Sequence, residues 1–241
     1  MFARTRVLLP AGLLFLAVAL SAPSLSAQEE WYGTPRATVG LSLIVSDPVG
    51  EFDRFVGAGG GADFFGRLAM DPRGVLSLRA DLGFLIYGHE SKRVCFEGVG
   101  CRVQARLETN NSIFFGGIGP ELALPTPWVR PYVNATMGFG YFNTSSSLDG
   151  EGWGNDNDFL TENNGDGNMA WGVGWGLDFL VSRGRTPIAV NLGAKYHRNG
   201  VVEYLTKGDI EDHADGSITL YPNRSQANFV TYHFGVTINI R

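Results

Sequence analysis

The chain has little of what most enzymes and nucleic-acid binders are built around. Its 241 residues include two cysteines and four histidines, and neither type recurs at zinc-ligand spacing. There is no Gly-rich dinucleotide fingerprint and no P-loop. Nineteen Lys and Arg against 24 Asp and Glu leave a formal charge of −5, without the basic stripe that an electrostatic nucleic-acid partner requires. A long apolar run is also missing from most of the chain. Past residue 27 nothing approaches the roughly 18 continuous apolar residues of a membrane-crossing helix.

The one long apolar run stands at the N-terminus. Arg4 and Arg6 precede Val7 to Leu20, which Pro10 interrupts, and the small-residue stretch Ser21 to Ala27 follows. That order is the layout of a secretory signal peptide, too short in its apolar part for a spanning helix. Cleavage is expected after Ala27, although Leu25 is larger than the residue usually found three places before a cut. Residues 28–241 then form a single exported domain, with a formal charge of −7 once Arg4 and Arg6 are gone. No cysteine lies near the cut, so no lipid anchor is expected there.

What the sequence does have is glycine, 33 residues, about twice the usual share, and alternation. In the segment from Ala227 to Arg241, Val230, Tyr232, Phe234, Val236, Ile238 and Ile240 occupy every second position. Thr231, His233, Gly235, Thr237 and Asn239 lie between them. Side chains alternate faces along a strand, so one face is apolar and the other polar or small. The run is about as long as a tilted strand needs to be to cross a bilayer. Seven further segments repeat it, at 36–45, 57–70, 75–87, 109–124, 128–142, 171–181 and 188–197. Short turn signals fall at 71–74, 125–127 and 183–187, and long polar stretches at 46–56, 88–108, 143–168 and 198–226. A bilayer interior offers no partner to unpaired backbone groups, so a chain that spans with strands must close them into a barrel. Short turns at one end and long loops at the other mark outer-membrane barrels.

On this pattern the chain resembles the small OmpA/OmpX-like outer-membrane β-barrel family along its whole mature length. The resemblance implies an all-β fold, an eight-stranded antiparallel up-and-down transmembrane β-barrel with short periplasmic turns and long extracellular loops. It also implies a place in the outer membrane of a Gram-negative-type bacterium and a monomeric state. The partners it implies are outer-membrane lipid and lipopolysaccharide, with periplasmic chaperones and the barrel-assembly machinery during biogenesis. The chain departs from the family at its last strand, which ends Ile240-Arg241 where such barrels usually end in Phe.

The two faces then acquire roles. Tyr141, Trp171, Tyr196 and Tyr232 share the apolar parity near the loop ends of their strands and are expected to form an outer aromatic girdle at the headgroup boundary. Trp128 would serve the periplasmic boundary. The polar parity sends Asp63, Arg67, Arg79, Asp81, Glu121, Asp178 and Lys195 into the lumen. An eight-stranded lumen is only wide enough for its own side chains, and buried charges persist only when paired. These three cations and four anions therefore read as a plug, with a narrow gated pore as the alternative.

Cys95 and Cys101 form an even pair in an exported chain and are expected to make a disulfide. Their spacing, CFEGVGC, is not a C-x-x-C redox motif. From Asn143 to Asn168 the carboxylates Asp149, Glu151, Asp156, Asp158, Glu162 and Asp166 occur without a Lys or Arg. Oxygen-rich loops of this kind suit Ca²⁺, with Asp156, Asp158 and Asp166 as metal candidates. The spacing is not that of an EF-hand, and a solvated acidic loop is the favoured reading; no other cofactor is expected. A noncatalytic barrel that supports the envelope or presents loops for adhesion or ligand binding leads the functions. A narrow pore and a lipid-modifying barrel enzyme are the alternatives. The enzyme would need a Ser/His pair on the lipid face and an apolar lumen, whereas His197 and His233 share the inward parity and the lumen carries charge.

Overall fold

The computed structural model describes residues 35–95, 104–150, 159–183, 186–206, 209–212 and 218–240. In chain order the strands are β1 (Ala37–Pro48), β2 (Gly59–Ala69), β3 (Leu76–Cys95), β4 (Gln104–Ala123), β5 (Val129–Gly150) and β6 (Phe159–Ser182). They continue with β7 (Ile188–Asn199), β8 (Val201–Tyr204), β9 (Ile210–Asp212), β10 (Ile218–Leu220), β11 (Asn223–Gln226) and β12 (Phe229–Ile240). Eight of them close an antiparallel barrel in the order β1-β12-β7-β6-β5-β4-β3-β2, and β8–β11 and β9–β10 form two small ribbons. Closure joins the first strand to the last, from Ala37 opposite Ile240 to Pro48 opposite Phe229.

The alternation becomes two surfaces. On β1, Leu41, Leu43 and Val45 point outward and are exposed, while Ser42 and Ser46 point inward and are buried. On β12, Tyr232, Phe234, Val236 and Ile238 are exposed while Thr231 and Thr237 are fully buried. A closed barrel with apolar residues outside and polar residues inside inverts the usual soluble arrangement. On β6 the outward apolar set runs from Trp171 to Val181. Ten residues at about 3.3 Å each span roughly 33 Å along the strand. At a tilt of about 40° that is a band about 25 Å tall, the height of the apolar belt of outer-membrane barrels.

Local chemistry explains the tight end. Asp71 accepts hydrogen bonds from Arg73 N at 3.0 Å and Leu76 N at 2.7 Å, and Gly74 takes φ +67°, a conformation that favours glycine. Inward glycines also make room for rings from neighbouring strands. A Cβ at Gly40 would run into the Phe65 ring, and one at Gly83 into Phe115.

The long end differs from the sequence expectation. The stretches 88–108 and 143–168 read as loops, but the barrel hairpins continue into them. β3 and β4 pair from Leu76–Leu122 out to Cys95–Gln104, and β4 and β5 pair from Ala123–Tyr132 out to Ala105–Gly150. β3 to β6 have 20 to 24 residues each, about twice what a crossing requires. Apolar alternation stops where neither face meets lipid or lumen, whereas backbone pairing does not need it. Register shifts at Ile86/Gly88 and Thr144/Ser145 lie near this exit from the belt, a usual place for bulges in barrels.

Candidate functional site: a braced lumen beneath an aromatic cluster

Apart from Asp63, the charged residues assigned to the inner face meet in one network. Arg67 on β2 donates to Asp178 on β6 at 2.7 Å and to Glu121 on β4 at 3.1 Å. In a ring of eight, β2 and β6 stand four strands apart, so the Arg67–Asp178 bond crosses the lumen to the opposite wall. Lys195 on β7 reaches Asp81 on β3 at 2.5 Å, a second bond between opposite strands. Arg79 joins the two by donating to Asp81 at 2.6 Å and to Glu121 at 3.0 Å. Its guanidinium also lies 4.0 Å over the Phe65 ring. Asn191 completes the Asp178 shell at 2.7 Å.

Arg130 was not among the residues assigned to the lumen from the sequence. It lies on β5 and donates to Glu121 at 3.0 Å and to Asp178 at 3.4 Å. Its parity, shared with Asn134 and Thr136, carried the signal. Arg130 stands at the second residue of β5, next to the Pro-rich turn, before the alternation becomes regular. With Arg130 the inward set holds four cations (Arg67, Arg79, Arg130, Lys195) and four anions (Asp63, Asp81, Glu121, Asp178).

Asp63 belongs to a second chain of contacts. His233 Nδ1 lies 3.2 Å from Asp63, His233 Nε2 lies 2.8 Å from Thr231 Oγ, and the same hydroxyl lies 2.9 Å from His197 Nε2. A carboxylate only accepts, so in neutral His233 the proton sits on Nδ1 and Nε2 accepts from Thr231. A hydroxyl that gives its one proton to His233 accepts from His197 when His197 carries its proton on Nε2. The Thr231 hydroxyl also lies 3.4 Å from Lys195 O, a second acceptor for its proton. The contacts have the Asp–His–hydroxyl order of a hydrolase triad, but Thr231 is 0 % exposed, so no substrate reaches it.

Above the charges the lumen becomes apolar, which the glycine and charge pattern did not foreshadow. Ile44, Phe52, Val56, Leu85, Tyr87, Ile113, Phe115, Phe142, Val202, Tyr204, Ala227 and Phe229 form one buried cluster. Phe52, on the short 3-10 turn Phe52–Arg54 between β1 and β2, is its hub. Its ring meets Tyr204 at 5.1 Å, Tyr87 at 5.8 Å and Phe142 at 6.0 Å, each edge to face. The loops that carry it are tied down: Val49 N donates to Asn228 O, Gln226 N to Glu51, and Glu203 N to Asp166. Tyr204 Oη shares a hydrogen bond with Ser225 at 2.8 Å, and burial raises its phenol pKa. His197 stacks on Phe229 at 4.6 Å where the aromatic and charged layers meet. Beside it a cavity of about 20 Å³ touches Asp81, Thr136 and Lys195, room for about one water molecule.

Tyr141, Trp171 and Tyr232 are exposed and Tyr196 is half-buried, all on the outward parity. Trp171 and Tyr196 are in edge contact at 6.3 Å, with Arg198 over the Trp171 ring. Asp166 lies on β6 as the acceptor for Glu203 N. Asp156, Asp158 and Cys101 lie outside the described residues, as does the side chain of Cys95, and with them the calcium and disulfide expectations.

A closed eight-stranded barrel, apolar outside and charged inside, has the architecture of the small outer-membrane β-barrels. Among solved structures the chain is similar to Ail, the attachment invasion locus protein of Yersinia pestis. That match has 11 % identity over 85 % of this chain and 97 % of the other, with a TM-score of 0.45. It is similar to Neisserial surface protein A at 11 % identity, 85 % and 96 % coverage and a TM-score of 0.39. The N-terminal β-barrel domain of Pseudomonas aeruginosa OprF matches at 13 % identity, 86 % and 99 % coverage and a TM-score of 0.34. No protein-family model and no curated protein matches the sequence.

Proposed function

We propose that the protein is a noncatalytic integral barrel of a bacterial outer membrane, closed to solutes, that supports the envelope and presents its long end to the outside. The two bonds between opposite strands, Arg67–Asp178 and Lys195–Asp81, carry this reading. Each occupies the middle of a lumen too narrow to route solute around it. The outward apolar band supports the membrane placement. β3 to β6, extended past the band, supply the surface on which adhesion or ligand binding would act. A lipid-modifying activity finds no support in the Asp63–His233–Thr231 chain, whose hydroxyl is buried. The apolar part of the lumen is filled by its own aromatic cluster and the rest by paired charges, so neither leaves a bore for an acyl chain.

Planar-bilayer conductance of the refolded protein, paired with analysis of lipid acylation in the same preparation, tests this. The expected result is background conductance and unchanged acylation. Steady single-channel steps would replace this reading with a pore, and altered acylation would replace it with an enzyme.

A further inference from the structure

At the turn end of the barrel, Arg183 follows directly on β6. Its guanidinium lies 3.8 Å over the ring of Trp128, and Nη2 donates to Pro127 O at 3.4 Å. The β4–β5 and β6–β7 turns are joined here, because Leu180 N donates to Trp128 O at 2.9 Å. The pair is thus held by backbone rather than by a flexible side chain alone. A guanidinium has five N–H donors. One is spent on Pro127 and the plane rests on the indole, while the arginine itself is exposed. Among the described residues no carboxylate lies within ion-pair distance of it. Trp128 is 64 % exposed, and exposed Val181 and Leu124 mark the lower margin of the apolar band.

A fixed cation on an aromatic platform, at the edge of an apolar wall, suits a ligand with an anionic head and an apolar tail. We infer that Arg183 and Trp128 form a headgroup site for an anionic phospholipid of the leaflet at the turn end. Phosphodiester oxygens accept from the free guanidinium edge, the indole lies at the glycerol ester level, and the acyl chains follow Val181 and Leu124. Arginine suits this role because its planar fork both stacks on a ring and grips two phosphate oxygens. The inference rests on the membrane placement proposed above.

The test uses the full chain folded into phosphatidylcholine vesicles containing a trace of spin-labelled phosphatidylglycerol or spin-labelled phosphatidylcholine. Electron spin resonance reads the motionally restricted fraction of each. Restriction of neither lipid would overturn the membrane placement itself. With both restricted, the wild type should select phosphatidylglycerol by about fivefold, the effect of one arginine at a membrane surface. Arg183→Gln should bring the ratio close to one, and Trp128→Ala should lower it while leaving the charge in place. Arg73→Gln, at an exposed turn arginine outside this pair, should leave it unchanged. A wild-type ratio in Arg183→Gln would overturn the site, and so would an equal loss in Arg73→Gln, which would mean diffuse charge. Inorganic phosphate that abolishes the selectivity would overturn the lipid as ligand.

Discussion

Glu121 is the residue on which the charged layer can be tested most directly. It is 0 % exposed and accepts from three arginines, Arg67 at 3.1 Å, Arg79 at 3.0 Å and Arg130 at 3.0 Å. Glu121→Gln keeps the shape but removes the charge, leaving four cations against three anions and turning an amide N–H₂ toward a guanidinium. Buried ions left without their partner cost about 3–5 kcal/mol, and no cavity contributes because the volume is preserved. Urea unfolding of the membrane-inserted protein, followed by tryptophan fluorescence, should show a loss of that size. The double variant Glu121→Gln with Arg67→Met should recover part of it. Removing one cation rebalances the layer, and Asp178 keeps Arg130 at 3.4 Å and Asn191 at 2.7 Å. A loss under about 1 kcal/mol, or a double variant no more stable than the single, would refute the claim that these charges hold one another in place.

Two further outcomes follow from the same layering. Val236→Arg and Trp175→Arg place a charge on the outward band, where both residues are about half exposed. Each should cost about 2–4 kcal/mol near the bilayer midplane in the same unfolding assay, and tolerance of both would contradict the membrane placement. Phe52→Ala removes the hub of the aromatic cluster and should cost about 3–5 kcal/mol, with faster hydrogen exchange in β8 and β11. Conductance should remain at background because the bonds below still cross the lumen. Steady current in Phe52→Ala alone would show that the aromatic cluster, and not the charged layer, closes the bore.

Much of this architecture was legible from side-chain parity. Period-two alternation identifies a strand and its outward face without any knowledge of its neighbours, so Leu43, Trp175 and Val236 could be placed directly. Parity also sends Asp63, Arg67 and Lys195 inward, but it does not say which wall each one meets. Arg67 and Asp178 are 111 residues apart and become partners only through the shear of the closed barrel. Parity fails where both faces are alike. Thr144 and Ser145 continue β5 with little apolar contrast, and they read as loop. The aromatic cluster was hidden for a different reason. Its residues come from inward positions scattered over several strands together with loop residues such as Phe52 and Val56, and no single window contains them.

The position of the charged layer sets a condition on how the chain enters a membrane. Arg67, Arg79, Glu121, Arg130, Asp178 and Lys195 come from six consecutive strands, β2 to β7. While the sheet is still open, neighbours such as Arg79 and Glu121 can meet, but Arg67 is out of reach of Asp178 and Lys195 of Asp81, each four strands away. An open sheet immersed in hydrocarbon would thus hold naked ions and an unpaired edge at once, both prohibitive in that medium. Both debts are cancelled by one event, the curling that brings β6 to β2 and β12 to β1. A strand-by-strand entry is therefore barred, and the sheet must roll up in a wet environment or descend and close in a single concerted step.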